Sequence, residues 1–201
     1  MFPLKTNSEI IGILQAVNGS NVIEAVRTGN KRWFWLRNPP HEIIPIKGSV
    51  NVAVTRGFVD FLLHDTIALD FMAWAKHTKV PDEVVFSSLN YNNHTRAPGS
   101  YTGNEEYNIT NMPSLVRFSN WGTWPCYGMM QREMCVFGVG DLPLLYERPE
   151  LFANKFVQGF QDIAFDCMEE LHFNRTRDQY LGKYRFDVSN YKQFDFVKNH
   201  L

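Results

Sequence analysis

The chain has 201 residues, 20 Lys+Arg against 21 Asp+Glu, and a formal net charge of −1. A chain of that length buries about 70% of its unfolded surface, and its 14% aromatic content with so little net charge excludes disorder as the main state. The balanced charge also excludes a general nucleic-acid binder, whose footprint is a basic excess or stripe.

In chain order, Met1 to Leu14 shows no basic region followed by an apolar run and a cleavage site, so it does not read as a signal peptide. No apolar stretch approaches the roughly 18 residues a bilayer demands. Asn7 is placed to cap a helix whose apolar positions Ile10, Ile11 and Leu14 recur at helical spacing, ending near Gly19. Asn21 to Arg27 reads as a strand, the segment around Arg37-Asn-Pro-Pro as a loop, and Ser49 to Val54 as β-rich. Thr55 can cap a helix containing Phe58, Val59, Leu62 and Leu63. A second helix follows over Ile67 to His77, and a third starts at Pro81 with Asp82 and Glu83 complementing its dipole.

Residues 90–110, rich in Asn, Gly, Ser and Thr, read as a surface loop. Short strands are expected at Ser114–Phe118 and Glu133–Phe137, and Gly138-Val-Gly-Asp turns into a short helix. Val157 to Phe173 reads as an amphipathic helix with Val157, Phe160, Ala164, Cys167, Met168 and Leu171 along one side. The last residues are aromatic but aperiodic. Mixed elements of this kind predict an α/β fold, a mixed sheet flanked by helices, with residues 1–175 as one catalytic portion and 176–201 as an unplaced tail.

No P-loop, dinucleotide fingerprint, HExxH or G-x-S-x-G occurs, and no D-x-D carboxylate pair of the metal-dependent nucleotide-sugar type is present. Any phosphate chemistry would rest on Arg, Lys and helix N-termini. Cysteines number three (Cys126, Cys135, Cys167), and four N-x-S/T sequons begin at Asn18, Asn93, Asn108 and Asn174, which suggests a secretory-pathway protein. Taken singly, the polar residues are ordinary. Glu83 is a first-turn helix acid, Lys155 a solvated lysine, Arg132 a strand-edge cation, Arg32 a snorkelling side chain beside Trp33, and Trp121 a packing residue.

Several blocks nevertheless occur in a telling order. Phe2-Pro-Leu-Lys-Thr-Asn, Gly48-Ser49 followed by Val52 to Val59, Trp74-Ala75 with Pro81-Asp82-Glu83, Cys135-Val-Phe-Gly with Gly140-Asp141-Leu142, and Leu151-Phe-Ala-Asn-Lys-Phe156 resemble the core-2/I-branching β-1,6-N-acetylglucosaminyltransferase family, which also holds peptide O-xylosyltransferases. The resemblance spans residues 2 to about 171. It implies the C-terminal, acceptor-side half of a GT-A-like domain. The activity implied is inverting, metal-independent transfer of N-acetylglucosamine from UDP-N-acetylglucosamine to a 6-hydroxyl of an acceptor glycan, with no cofactor.

By the same resemblance Glu83 is the catalytic base, Arg132 and Lys155 bind the donor diphosphate, and Glu24, Arg32 and Trp121 hold the acceptor. Cys126 and Cys135 match a family disulfide, and Cys167 a cysteine whose partner lies upstream. Expected partners are a nucleotide-sugar donor and a glycan or glycoprotein acceptor, with no nucleic acid. The family's setting is the Golgi lumen, on a membrane anchor upstream of the matched region, so the chain is expected to be a fragment without the nucleotide-binding half and inactive alone. Two alternatives remain: a xylosyltransferase-like member, and a silent carbohydrate-binding remnant.

Overall fold

A computed structural model describes residues 1–26, 30–103 and 115–201. Contacts divide the chain into two compact units. The first, which we term the sheet unit, comprises Met1–Ile13 and Leu115–Val188; the second, the helical unit, comprises Leu14–Ser114 and Ser189–Leu201. The fold is mixed α/β with small sheets.

In the sheet unit, β1 (Phe2–Pro3), β7 (Phe152–Ala153) and β4 (Arg117–Phe118) form a sheet of order β1-β7-β4. Phe2 pairs antiparallel with Ala153, and Phe118 pairs parallel with the same residue. Pro3 lacks an N–H, which an edge strand tolerates. Phe2, Leu4, Phe118, Phe137, Leu145, Ala153 and Met168 are buried together on this sheet. Phe118 and Phe137 stack at 5.8 Å, and Phe2 meets Phe165 edge-on at 5.1 Å. A two-residue hairpin joins β5 (Met129–Gln131) to β6 (Met134–Val136), with Arg132 and Glu133 at φ 49° and 66°. Two consecutive left-handed residues match the twist of the flanking strands.

Helix α1 (Asn7–Ala16) is capped differently from the expectation. Thr6 Oγ1 accepts the Glu9 N–H at 3.2 Å while the Glu9 carboxylate accepts the Thr6 N–H at 2.8 Å, a reciprocal capping box. The cap is therefore Thr6, not Asn7. The buried positions are Glu9, Ile13 and Ala16, whereas Ile11 and Leu14 are exposed. Helix α5 (Leu142–Glu147) follows a 3-10 turn, and α6 (Asp162–Tyr180) starts five residues later than the pattern predicts. Of its expected stripe only Ala164 and Met168 are buried; Cys167 is exposed, with a free thiol.

The helical unit contains the ribbon β2 (Ala25–Val26) and β3 (Lys47–Gly48) and, among its helices, α2 (Arg56–His64), α3 (Thr66–Ala75) and α4 (Asp82–Asn90). Thr55 caps α2 by accepting the Phe58 N–H at 3.1 Å, and Asp65 caps α3 through the Ile67 N–H at 2.8 Å. Phe58, Leu62, Ala68, Phe71, Ala75, Val84 and Leu89 are buried.

The described part of the expected surface loop is a correction. Asn90, Tyr91, Asn92, Thr95, Ala97, Ser100 and Tyr101 are all buried. Tyr91 and Asn92 bond backbone groups of residues 23 and 44, Asn90 and Tyr101 meet the side chains of Asn21 and Asp195, and Thr95 bonds nearby carbonyls, instead of facing water. The C-terminal residues also have places. Helix α6 runs through residue 175, and α7 (Asp195–Lys198) belongs to the helical unit, where Tyr191 and Phe196 are buried.

Candidate functional site

Glu83 stands in the first turn of α4, directly after Pro81-Asp82. Proline suits that position because its missing N–H has no helical partner and its φ is already helical. The Glu83 N–H donates to the Val80 carbonyl at 3.1 Å. Arg32 Nη1 donates to Glu83 Oε2 in an ion pair whose side chains are 25% and 30% exposed. A pair this open to water contributes at most about 1 kcal/mol; its consequence is orientation, a carboxylate fixed on one side and open on the other. Arg32 ends a 3-10 turn, and its carbonyl accepts the Lys79 N–H at 2.9 Å, so it is tied to the loop that enters α4.

The far end of α4 and the residues just after it are fastened by side chains to the segment that enters β3. Ser87 Oγ donates to the Ile46 carbonyl at 2.5 Å, and Ser88 Oγ accepts the Ile46 N–H at 2.9 Å. Asn92 accepts the Ile44 N–H at 2.8 Å and donates to the Ile44 and Ser88 carbonyls at 2.9 and 2.7 Å. Gly48 permits this approach: a Cβ there would lie 2.3 Å from the Glu24 carbonyl oxygen and 2.7 Å from the Ser87 Cβ. Glu24 is half-buried between Ile23, whose carbonyl accepts the Tyr91 phenol at 2.7 Å, and Ala25, which pairs with Gly48. Burial pushes the Tyr91 phenol well above its ordinary range, and the charge of Glu24 adds to that in smaller measure. Glu24, Arg32 and Glu83 thus all belong to the helical unit, and Arg32 and Glu83 touch.

Arg132, Lys155 and Trp121 lie in the sheet unit. Arg132 is exposed at the tip of the β5–β6 hairpin. Lys155 Nζ donates to Gln131 Oε1, on the residue just before Arg132, and the Lys155 carbonyl accepts the Phe137 N–H at 2.9 Å. The lysine side chain is therefore brought to the turn end of the hairpin, beside the arginine. Trp121 is 56% exposed on a loop organised by the buried Asn120, whose Oδ1 accepts the N–H groups of Gly122 and Trp124 at 3.0 and 3.2 Å.

Cys126 and Cys135 form a disulfide with an S–S distance of 2.01 Å, closing a span that includes all of β5 and the hairpin turn. Buried Asp141 accepts the N–H groups of Tyr127 and Gly138 at 3.0 and 2.9 Å, fixing the segment beside it. Cys126, Cys135 and Asp141 are the one group among the described residues close enough to hold a metal ion, but the two sulfurs are bonded to each other.

Of the sequon asparagines, Asn18 is exposed at the turn after α1, Asn93 is half-buried in a 3-10 turn, Asn174 is half-buried within α6, and Asn108 lies outside the described residues. Sequence reasoning missed Gln131, Asn120 and Asn92 as organising residues. A signal existed for the first two only in their positions, beside Arg132 and Trp121.

Arg32 thus holds the Glu83 carboxylate at a helix start of the helical unit, and Lys155 reaches the hairpin that carries Arg132 in the sheet unit. Comparison with known proteins identifies the class. No family model matches the chain. It is 32% identical to human N-acetyllactosaminide β-1,6-N-acetylglucosaminyl-transferase over 89% of its own length and 49% of that protein's. It is 30% identical to human β-1,3-galactosyl-O-glycosyl-glycoprotein β-1,6-N-acetylglucosaminyltransferase 3 over 84% of its length, and 29% identical to a human enzyme of the same name without the numeral. The chain is thus a homologue of the β-1,6-N-acetylglucosaminyltransferases, the core-2/I-branching family. It spans about half the length of these relatives. Among the described residues no helix is long and apolar enough to cross a membrane.

Proposed function

We propose that this chain carries the catalytic-base and leaving-group side of a GT-A-like, inverting β-1,6-N-acetylglucosaminyltransferase of the Golgi lumen, with UDP-N-acetylglucosamine as donor and a galactose-bearing glycan as acceptor. The observation that carries the reading is the Arg32–Glu83 pair: Arg32 engages Oε2, and Oε1 is the oxygen assigned to the acceptor's 6-hydroxyl. Glu83 takes that proton as the hydroxyl oxygen attacks the anomeric carbon. The bond to the UDP oxygen breaks, and configuration inverts. A positioned base of this kind accelerates transfer by about 10²–10⁴-fold. Arg132 and Lys155 are assigned the developing diphosphate charge in place of a divalent cation, Arg as a planar fork and Lys as a point charge. Glu24 and Trp121 are assigned to the acceptor.

Replacement of Glu83 by Gln keeps the shape and removes the base. Assayed in a full-length enzyme that includes the nucleotide-binding half, transfer to a β-galactosyl disaccharide is expected to fall about 10²–10⁴-fold, with UDP-sugar affinity retained and with wild-type transfer persisting in EDTA. Unchanged turnover in the variant overturns the base assignment, and strict dependence on manganese overturns the roles given to Arg132 and Lys155.

A further inference from the structure

Phe34 and Trp35 occupy the two central positions of a turn closed by the Leu36 N–H donating to the Trp33 carbonyl at 2.9 Å. Such corners ordinarily go to Pro, Gly, Asn, Asp or Ser, each for a backbone reason. Large aromatics gain nothing there from local geometry. Nor are these two spent on the core: Phe34 is 68% exposed and Trp35 45%, with the rings edge-to-face at 5.1 Å. A local choice that violates both turn chemistry and burial points to function.

The stem beneath the pair is held on both sides. The Arg32 carbonyl accepts the Lys79 N–H at 2.9 Å, and the Arg37 carbonyl accepts the Trp74 indole N–H at 2.8 Å, with Trp74 stacked on Phe71 at 5.4 Å. The Lys79 ammonium lies 5.4 Å from the Trp35 ring centre. Arg32, two residues before Phe34, is the partner of Glu83. The aromatic pair is therefore displayed on a pinned stem that also delivers the guanidinium to the carboxylate.

We propose that Phe34 and Trp35, with Lys79, form a stacking platform for a pyranose ring of the acceptor glycan, an inference that rests on the reading of Glu83 as the base. A pyranose has an apolar C–H face rimmed by hydroxyls. Trp35 offers the apolar surface, and the Lys79 ammonium beside it offers hydrogen-bond donors. Two side chains are too small an apolar area to seat a protein partner, which needs about 800 Å² on each side; a single sugar ring fits the scale.

Binding of N-acetyllactosamine and of β-1,3-galactosyl-N-acetylgalactosamine, measured by tryptophan fluorescence and calorimetry, tests the platform without turnover. Trp35→Ala is expected to weaken the better-bound disaccharide about tenfold, roughly 1.4 kcal/mol, and Trp35→Phe to recover most of the loss. In transfer assays of a full-length enzyme carrying the substitution, the acceptor KM rises while kcat changes little. Thermal unfolding of Trp35→Ala matches wild type, because the ring supports no core. A disaccharide Kd unchanged in Trp35→Ala, or no disaccharide binding by wild type, overturns the platform. Loss of transfer in Glu83→Gln with Trp35→Ala silent overturns the platform alone. Trp35-dependent binding in a full-length enzyme, nucleotide-binding half included, that never transfers sugar overturns the catalytic reading and leaves the platform standing.

Discussion

The two units hold their candidate residues by different physical means. In the helical unit, Glu83 sits on a helix fixed by buried polar side chains: Ser87, Ser88 and Asn92 each bond the backbone of residues 44 to 46. In the sheet unit, Arg132 rides on a hairpin fixed by a covalent bridge and a stack of phenylalanines. Directional hydrogen bonds specify one register and fail when any partner is removed, because the orphaned group stays buried. Aromatic packing is less directional, and the disulfide supplies the specificity that packing does not. Glu83 is thus aligned by polar accounting, Arg132 by cross-linking.

The contrast is sharpest at Asn92. Its side chain makes three hydrogen bonds to backbone and is almost fully buried. Replacement by Ala deletes all three, which at about 1 kcal/mol each predicts a loss of about 3 kcal/mol in stability, read as a lowered urea midpoint. A loss below about 1 kcal/mol would mean that the ribbon is held by packing after all, and the comparison between the units would fail.

The disulfide comes next. Cys126→Ser with Cys135→Ser opens a short loop, which predicts a loss of about 2–3 kcal/mol on chain-entropy grounds. Wild type in reductant should show the same shift, while Asn92→Ala responds to reductant by the same increment as wild type. A reductant-insensitive unfolding midpoint would show that packing alone holds the hairpin.

This difference also explains what was legible in the sequence. Helix α2 and its Thr55 cap follow from apolar spacing and cap chemistry, and Glu83 after Pro81 marks the start of α4. The α1 cap was written in Thr6-Asn-Ser-Glu9, a T-x-x-E box, but the nearer Asn7 competes for the same position. The segment from Asn90 to Tyr101 reads as solvent-facing because Asn, Ser and Thr are turn formers. Its burial depends on carbonyls and N–H groups far away in sequence, such as Asn21 Nδ2 donating to Asn90 Oδ1 at 3.1 Å. Composition carries no record of such partners. The candidate site was legible only as an ordered set of blocks; the Arg32–Glu83 contact and the pairing of Lys155 with Gln131 arise from tertiary placement.

The smallest effect, and the one that dissects the polar mode most finely, is at Tyr91. Its phenol donates to the Ile23 carbonyl at 2.7 Å beside Glu24, and the ring lies 5.4 Å from that of Tyr101. Replacement by Phe leaves the ring and removes one hydrogen bond, for about 1 kcal/mol. The pH dependence reports on the buried phenol itself. The phenol's folded pKa is raised above the unfolded 10.0, chiefly by burial. The native state therefore binds the proton more tightly than the unfolded state. Its contribution is fully present below pH 10 and is lost as pH rises through the folded value. Tyr91→Phe lacks that titration. Its stability should fall less steeply than wild type's above pH 10, with a constant gap between the two at lower pH. Parallel curves across the alkaline range would show that the phenol titrates alike in both states, and that burial does not hold its proton in the fold.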